Sequence, residues 1–130
     1  SPMLTEGRVD WLWAEAEKAG MPLMLMITQQ MVPLIDRVAE QHPRLKLTLC
    51  HLSLNSSKKD EEAFRDLDML LAIAKRPNVA VKVSALPTYT SDAWPYRALH
   101  PYLKRVHAAF GAQFHVNAAA HKGFDIVLQV

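Results

Sequence analysis

Apolar and polar positions divide the chain into alternating segments of helix and strand length. "EGRVDWLWAEAEKAG" (6–20) puts Val9, Leu12, Trp13 and Ala16 on one helical face, and Gly20 is a natural stop. "MPLMLMIT" (21–28) is a continuous apolar run, the pattern of a strand buried on both faces in a parallel sheet. Helical spacing returns in "MVPLIDRVAEQHP" (31–43), with Leu34, Ile35, Val38 and Ala39 as the stripe and Pro43 as the end. "RLKLTLCHL" (44–52) reads as a second strand, in which Leu45, Leu47 and Leu49 alternate with Lys46, Thr48 and Cys50. The polar loop "NSSKKDEE" leads to a helix over "EAFRDLDMLLAIAKRP", with Phe64, Leu67, Leu70, Leu71 and Ala74 at helical spacing. Pro77-Asn78 turns the chain into a third strand, "VAVKVSAL" (79–86). A loop rich in aromatics and prolines follows, then the helix "PYLKRVHAAFG" stopped by Gly111, then "AQFHVNAAA" as a fourth strand. "HKGFDIVLQV" closes the sequence with a short apolar run.

The resulting order, α-β-α-β-α-β-α-(β), predicts an α/β fold of parallel-strand βα units joined by right-handed crossovers. At 130 residues the chain has the length of one domain, and half its residues are hydrophobic, enough for a core. A net charge of +2 gives no reason to expect nucleic acid or an anionic membrane surface as partner. No apolar run approaches the roughly 18–20 residues of a spanning helix, and the N-terminus lacks a secretory pattern. The one cysteine, Cys50, cannot form an internal disulfide, and a reducing, cytoplasmic setting is expected. The four glycines form neither GxGxxG nor GxxxxGK[ST], which argues against nucleotide binding by those loops.

His51 stands where the second strand gives way to a polar loop. A neutral imidazole there is a candidate metal ligand or acid/base group, or a satisfied structural histidine. A catalytic metal wants about three protein ligands, and His51 is the one convincing candidate. His115 and His121 lie near the last segment, whereas His42, His100 and His107 read as capping or surface groups on helices. Lys82 interrupts the apolar run of the third strand, and Ser84 shares its face by the strand period. Lys82 either points into a cleft, where it would hold a substrate carboxylate, or snorkels from a strand end. Ser84 has no G-x-S-x-G elbow around it and is not expected to be a nucleophile. The loop "LPTYTSDAWPYR" carries Tyr89, Trp94, Tyr96 and Arg97. Trp94 reads as packing, Tyr89 as a substrate contact, and Arg97 as a carboxylate partner or a surface residue. Cys50 and His51, adjacent on a strand, are expected to face opposite ways.

"HPRLKLTLCHLSL", "RPNVAVKVSAL" and "WPYRALHPYLKRVHAAFG", in that order and spacing, resemble the amidohydrolase-related family of metal-dependent hydrolases and lactonases. The resemblance runs from about Trp11 to Gln113. That family folds as a (β/α)8 TIM barrel. The resemblance implies that this chain corresponds to its second half, with "MPLMLMI" as strand five, the strand ending at His51 as six, "VAVKVSAL" as seven and "AQFHVNAAA" in the place of eight. It implies His51 as a metal-binding or catalytic residue, a divalent metal such as zinc as cofactor, and Lys82, Ser84, Tyr89 and Arg97 as substrate contacts at the C-terminal ends of the strands. The family's His-x-His pair on strand one and its terminal Asp have no counterpart here, and Asn117 lies nearest the latter position. Residues 114–130 depart from the family pattern. Two functions are therefore expected in parallel. One is hydrolysis of a lactone or a small carboxylated ring by water attack. The other is an inactive half-barrel serving as an oligomeric or ligand-binding module. Half a barrel leaves edges and an inner face bare, so a homodimer is expected, or a sheet whose edge is covered by the tail.

Overall fold

The computed structural model describes residues 2–116 and 126–129. A short helix α1 (Pro2–Thr5) precedes α2 (Asp10–Ala19), which ends where Gly20 takes a left-handed φ of 65° and Met21 N–H closes back on Ala16 C=O at 2.9 Å. Strand β1 (Leu23–Met26) leads to α3 (Val32–Gln41), opened by Pro33 in its first turn, where a missing N–H costs nothing. Then come β2 (Leu47–Leu49), α4 (Asp60–Ala63), α5 (Leu67–Ala72), β3 (Val79–Val83), α6 (His100–Phe110), β4 (Phe114–Val116) and β5 (Ile126–Gln129).

All pairings are parallel, and the sheet order is β4-β3-β2-β1-β5. From β1 to β4 each new strand is added on the same side of the last. Right-handed crossovers then place every connecting helix on one face. The core agrees with this. Leu23, Leu25, Leu47, Leu49, Val79 and Val81 are buried in one cluster with Trp13, Ile35, Leu67, Leu70, Val106 and Phe110 of the helices. Each such Leu or Ile contributes about 1.5–3 kcal/mol on burial. Met24, Met26, Thr48, Ala80 and Lys82 alternate with the clustered strand residues, so they stand on the other face and lie outside that cluster. This is the arrangement of consecutive βα units in a (β/α)8 barrel, with the helices outside and the second face turned inward.

The expected strands are all present, and β5 adds a use for the closing apolar run. It pairs with β1 from Leu23–Ile126 to Met26–Gln129, so the tail covers the β1 edge. Two expectations need correction. The helix anticipated over residues 62–77 is broken into α4, α5 and a 3-10 turn at Ile73–Lys75. Asp66 turns its carboxylate to the Gln30 amide, and Phe64 stacks on Tyr102 with centroids 4.1 Å apart, so tertiary partners take over at the break. The second strand stops at Leu49, and Cys50–Ser53 form a 3-10 turn. Among the described residues no helix is long and apolar enough to cross a membrane.

Candidate functional site

At the C-terminal end of the strands a cleft of about 180 Å³ is lined by Met26, Ile27 and Thr28 after β1, by Cys50, His51, Leu54, Asn55 and Ser56 after β2, and by Tyr89. His51 enters it from a backbone turn that the sequence does not announce. His51, Leu52 and Ser53 have φ of 52°, 53° and 52°, one left-handed turn built without glycine. Each such residue costs about 1–2 kcal/mol in this region. Ser53 adds a buried Oγ with no hydrogen-bond partner. The turn is held by burial of the Leu52 side chain and by the Gln29 amide, which donates to Leu52 C=O at 3.1 Å from a buried position.

The turn brings His51 to Ser84, just past β3, and His51 Nδ1 lies 2.7 Å from Ser84 Oγ. The bond fixes the ring, and its direction fixes the tautomer. If Ser84 donates, Nε2 carries the proton; if Nδ1–H donates, Nε2 offers a lone pair. Tyr89 is buried beside them, and burial pushes its phenol above the ordinary range, so it stays protonated. Its segment is anchored by Asp60, whose Oδ1 accepts from Thr90 Oγ1 and Ser91 N–H at 2.9 Å each and whose Oδ2 accepts from Ser91 Oγ at 2.6 Å. The Ser91 hydroxyl foremost, then its amide and Thr90, hold the Asp60 carboxyl below its usual value.

His51 and Ser84 thus meet, and His51 and Tyr89 line the same cleft. Lys82 does not line the cleft. It sits on the second sheet face, close enough for its charge to act on Cys50, and is paired in register with His115 of β4. Arg97 is exposed in the 3-10 turn Arg97–Leu99, away from the cleft lining. Trp94, expected to pack, is 82% exposed, with Tyr96 edge-on at 5.8 Å. Cys50 and His51 line the same cleft, because the strand alternation that was to separate them ends at Leu49. His42 joins Glu17, His100 reaches Pro95 C=O and His107 meets the Phe114 ring edge-on, all structural contacts on helices. Asn117 and His121 lie outside the described residues. Sequence reasoning passed over Gln29 and Asp60. The only signal for Gln29 is a polar residue directly behind an apolar strand.

Among the described residues no three of His, Cys, Asp or Glu come together. Burial raises the Cys50 thiol above its ordinary range, against a smaller pull from Lys82, and a neutral thiol is a poor ligand. His51 lines the cleft without two further ligands among the described residues, so these residues do not by themselves make a zinc site.

Parallel βα units with side chains gathered at the C-terminal ends of the strands are the layout of a (β/α)8 barrel and its site. Residues 2–113 match the sequence profile of the amidohydrolase family, and the chain belongs to that family. Two crystal structures of an amidohydrolase from Burkholderia multivorans share its fold. The one with bound zinc has a TM-score of 0.66 at 20% identity, covering 80% of this chain and 40% of that one. The one with bound HEPES has a TM-score of 0.64 at 22% identity, with the same coverage. This chain therefore spans about 40% of the length of those structures. No curated protein matches it.

Proposed function

We propose that the chain corresponds to strands five to eight of an amidohydrolase barrel and carries the His51 portion of a hydrolytic site for a lactone or a small carboxylated ring. The observation that carries the reading is the 2.7 Å contact of His51 Nδ1 with Ser84 Oγ at the ends of β2 and β3. With Nδ1–H donating to Ser84, Nε2 is free to accept the proton of a water that attacks the carbonyl carbon. The ring oxygen then leaves and takes that proton back, giving the open hydroxy acid. Tyr89, kept neutral, is a hydrogen-bonding group at the cleft wall rather than a second base. At 180 Å³ the cleft is smaller than the roughly 300–1,000 Å³ of typical small-molecule sites. The substrate is accordingly a ring of a few heavy atoms, and Lys82, which does not line the cleft, is given no part in holding it within this reading.

The test is hydrolysis of a panel of small lactones and cyclic carboxylates by the full chain, with and without added zinc. His51→Ala is expected to lower kcat/KM by about 10²–10⁴-fold while the melting transition survives. A folded wild-type chain that hydrolyses nothing in either condition would favour the second reading, a ligand-binding module without turnover. The short donor set around His51 is the observation on that side.

A further inference from the structure

Among the described residues, the longest left-handed run of non-glycine backbone begins at His51 itself. Three consecutive non-glycine residues, His51, Leu52 and Ser53, share the left-handed region, and the Ser53 hydroxyl is buried without a partner. Strain of this kind persists only where the surroundings over-determine it, and it concentrates at functional sites. Two polar side chains reach the turn from other elements: Ser84 meets the His51 ring, and Gln29 meets the backbone. Gln29, in the 3-10 turn Gln29–Met31 after β1, is 3% exposed, and its Nε2 donates to Leu52 C=O at 3.1 Å. A buried amide has to be hydrogen-bonded, so Leu52 C=O fixes Gln29 as much as Gln29 fixes the turn. The Leu52–Ser53 peptide lies inside the left-handed run that begins at His51, so its hydrogen bond to Gln29 restrains the turn that presents His51 to Ser84.

We propose that Gln29 is the positioning residue of the site: its amide locks the left-handed 51–53 turn and thereby holds the His51 ring on Ser84. The inference rests on the reading of His51 as the working group, but its test does not need turnover. The side-chain ¹⁵N and ¹³C signals of His51, recorded on the histidine-labelled full chain, report tautomer and ring contacts. Gln29→Leu is expected to shift these signals toward those of Ser84→Ala, where the contact is deleted outright. Asn78→Ala, which loosens the opposite end of the sheet, serves as the control for general destabilisation and is expected to leave them in place. Where a hydrolysed substrate is found, Gln29→Leu lowers kcat by about tenfold to a hundredfold and changes KM little.

Should Gln29→Leu not fold, the same signals are read in Gln29→Leu with Ser53→Gly, in which glycine relieves the left-handed position and removes the orphan hydroxyl. The expected shift is the same. His51 signals identical to wild type in the folded Gln29 variant overturn the proposal. A wild-type chain that shows the Ser84-dependent His51 signature yet hydrolyses nothing would instead remove the catalytic reading and leave the positioning role standing.

Discussion

At the scale of single residues the 51–53 turn sets the terms. Ser53 occupies a left-handed position and leaves a buried hydroxyl unpaired. Glycine there would relieve both, at an entropic cost of about 0.5–1 kcal/mol. Ser53→Gly should therefore stabilise the chain by a net of about 1–2 kcal/mol, read as a higher urea midpoint. A lower midpoint would mean the hydroxyl has a partner that matters. None of this was legible in "CHLSL". Left-handed backbone is signalled by glycine, asparagine or aspartate, and a His-Leu-Ser run signals strand or helix. The position of His51 at a strand exit was readable. The backbone that aims it, and the amide of Gln29 behind it, depend on contacts from β1 that no local pattern encodes.

At the scale of elements, a few polar side chains fasten the pieces together. Asn78, at the entry to β3, donates through Nδ2 to Ala39, His42 and Leu45 C=O at 3.1, 3.0 and 2.9 Å, tying the end of α3 and the start of β2 to β3. Asn78→Ala strands partly buried carbonyls and should cost about 1–3 kcal/mol, measured as a drop in unfolding free energy. Asp36 on α3 accepts from Arg76 Nε at 2.8 Å, and Arg76 is the main cause that its carboxyl sits below the usual value. Asp60 does the same between α4 and the Thr90–Ser91 segment. Both groups release protons more readily folded than unfolded. Their stabilisation is thus complete above the ordinary aspartate value of about 3.9 and is lost as pH falls through the lower folded values. Asp60→Asn should flatten the acid limb of a stability-versus-pH curve, and an unchanged limb would assign the clasp no role. The strands and most helices were readable because their apolar spacing survives in the core. The break between α4 and α5 was not, because Ala63, Phe64, Leu67 and Leu70 keep helical spacing across it while Asp66 is drawn off to Gln30.

At the scale of the molecule, the second face of the sheet carries Lys46, Lys82 and His115 among Met24, Met26, Thr48 and Ala80. β5 occupies the β1 edge, so two copies cannot close an eight-stranded ring through that edge while it is paired. We propose that a homodimer forms through this second face, where Lys46 and Lys82 of the two copies oppose one another. Its population should then rise with ionic strength, in light scattering across a salt series. A mass of 14.7 kDa at every salt concentration would exclude a second copy as the cover. The strand order has a further consequence, for the time course of folding. β1 through β4 can pair one after another as synthesis proceeds, each with the strand just made. The last partner of β1 is β5, near the far end of the chain. Contacts so distant in sequence form slowly. Until they do, the β1 edge presents an open row of amides and carbonyls, so partly folded molecules are most prone to stick to one another through that edge.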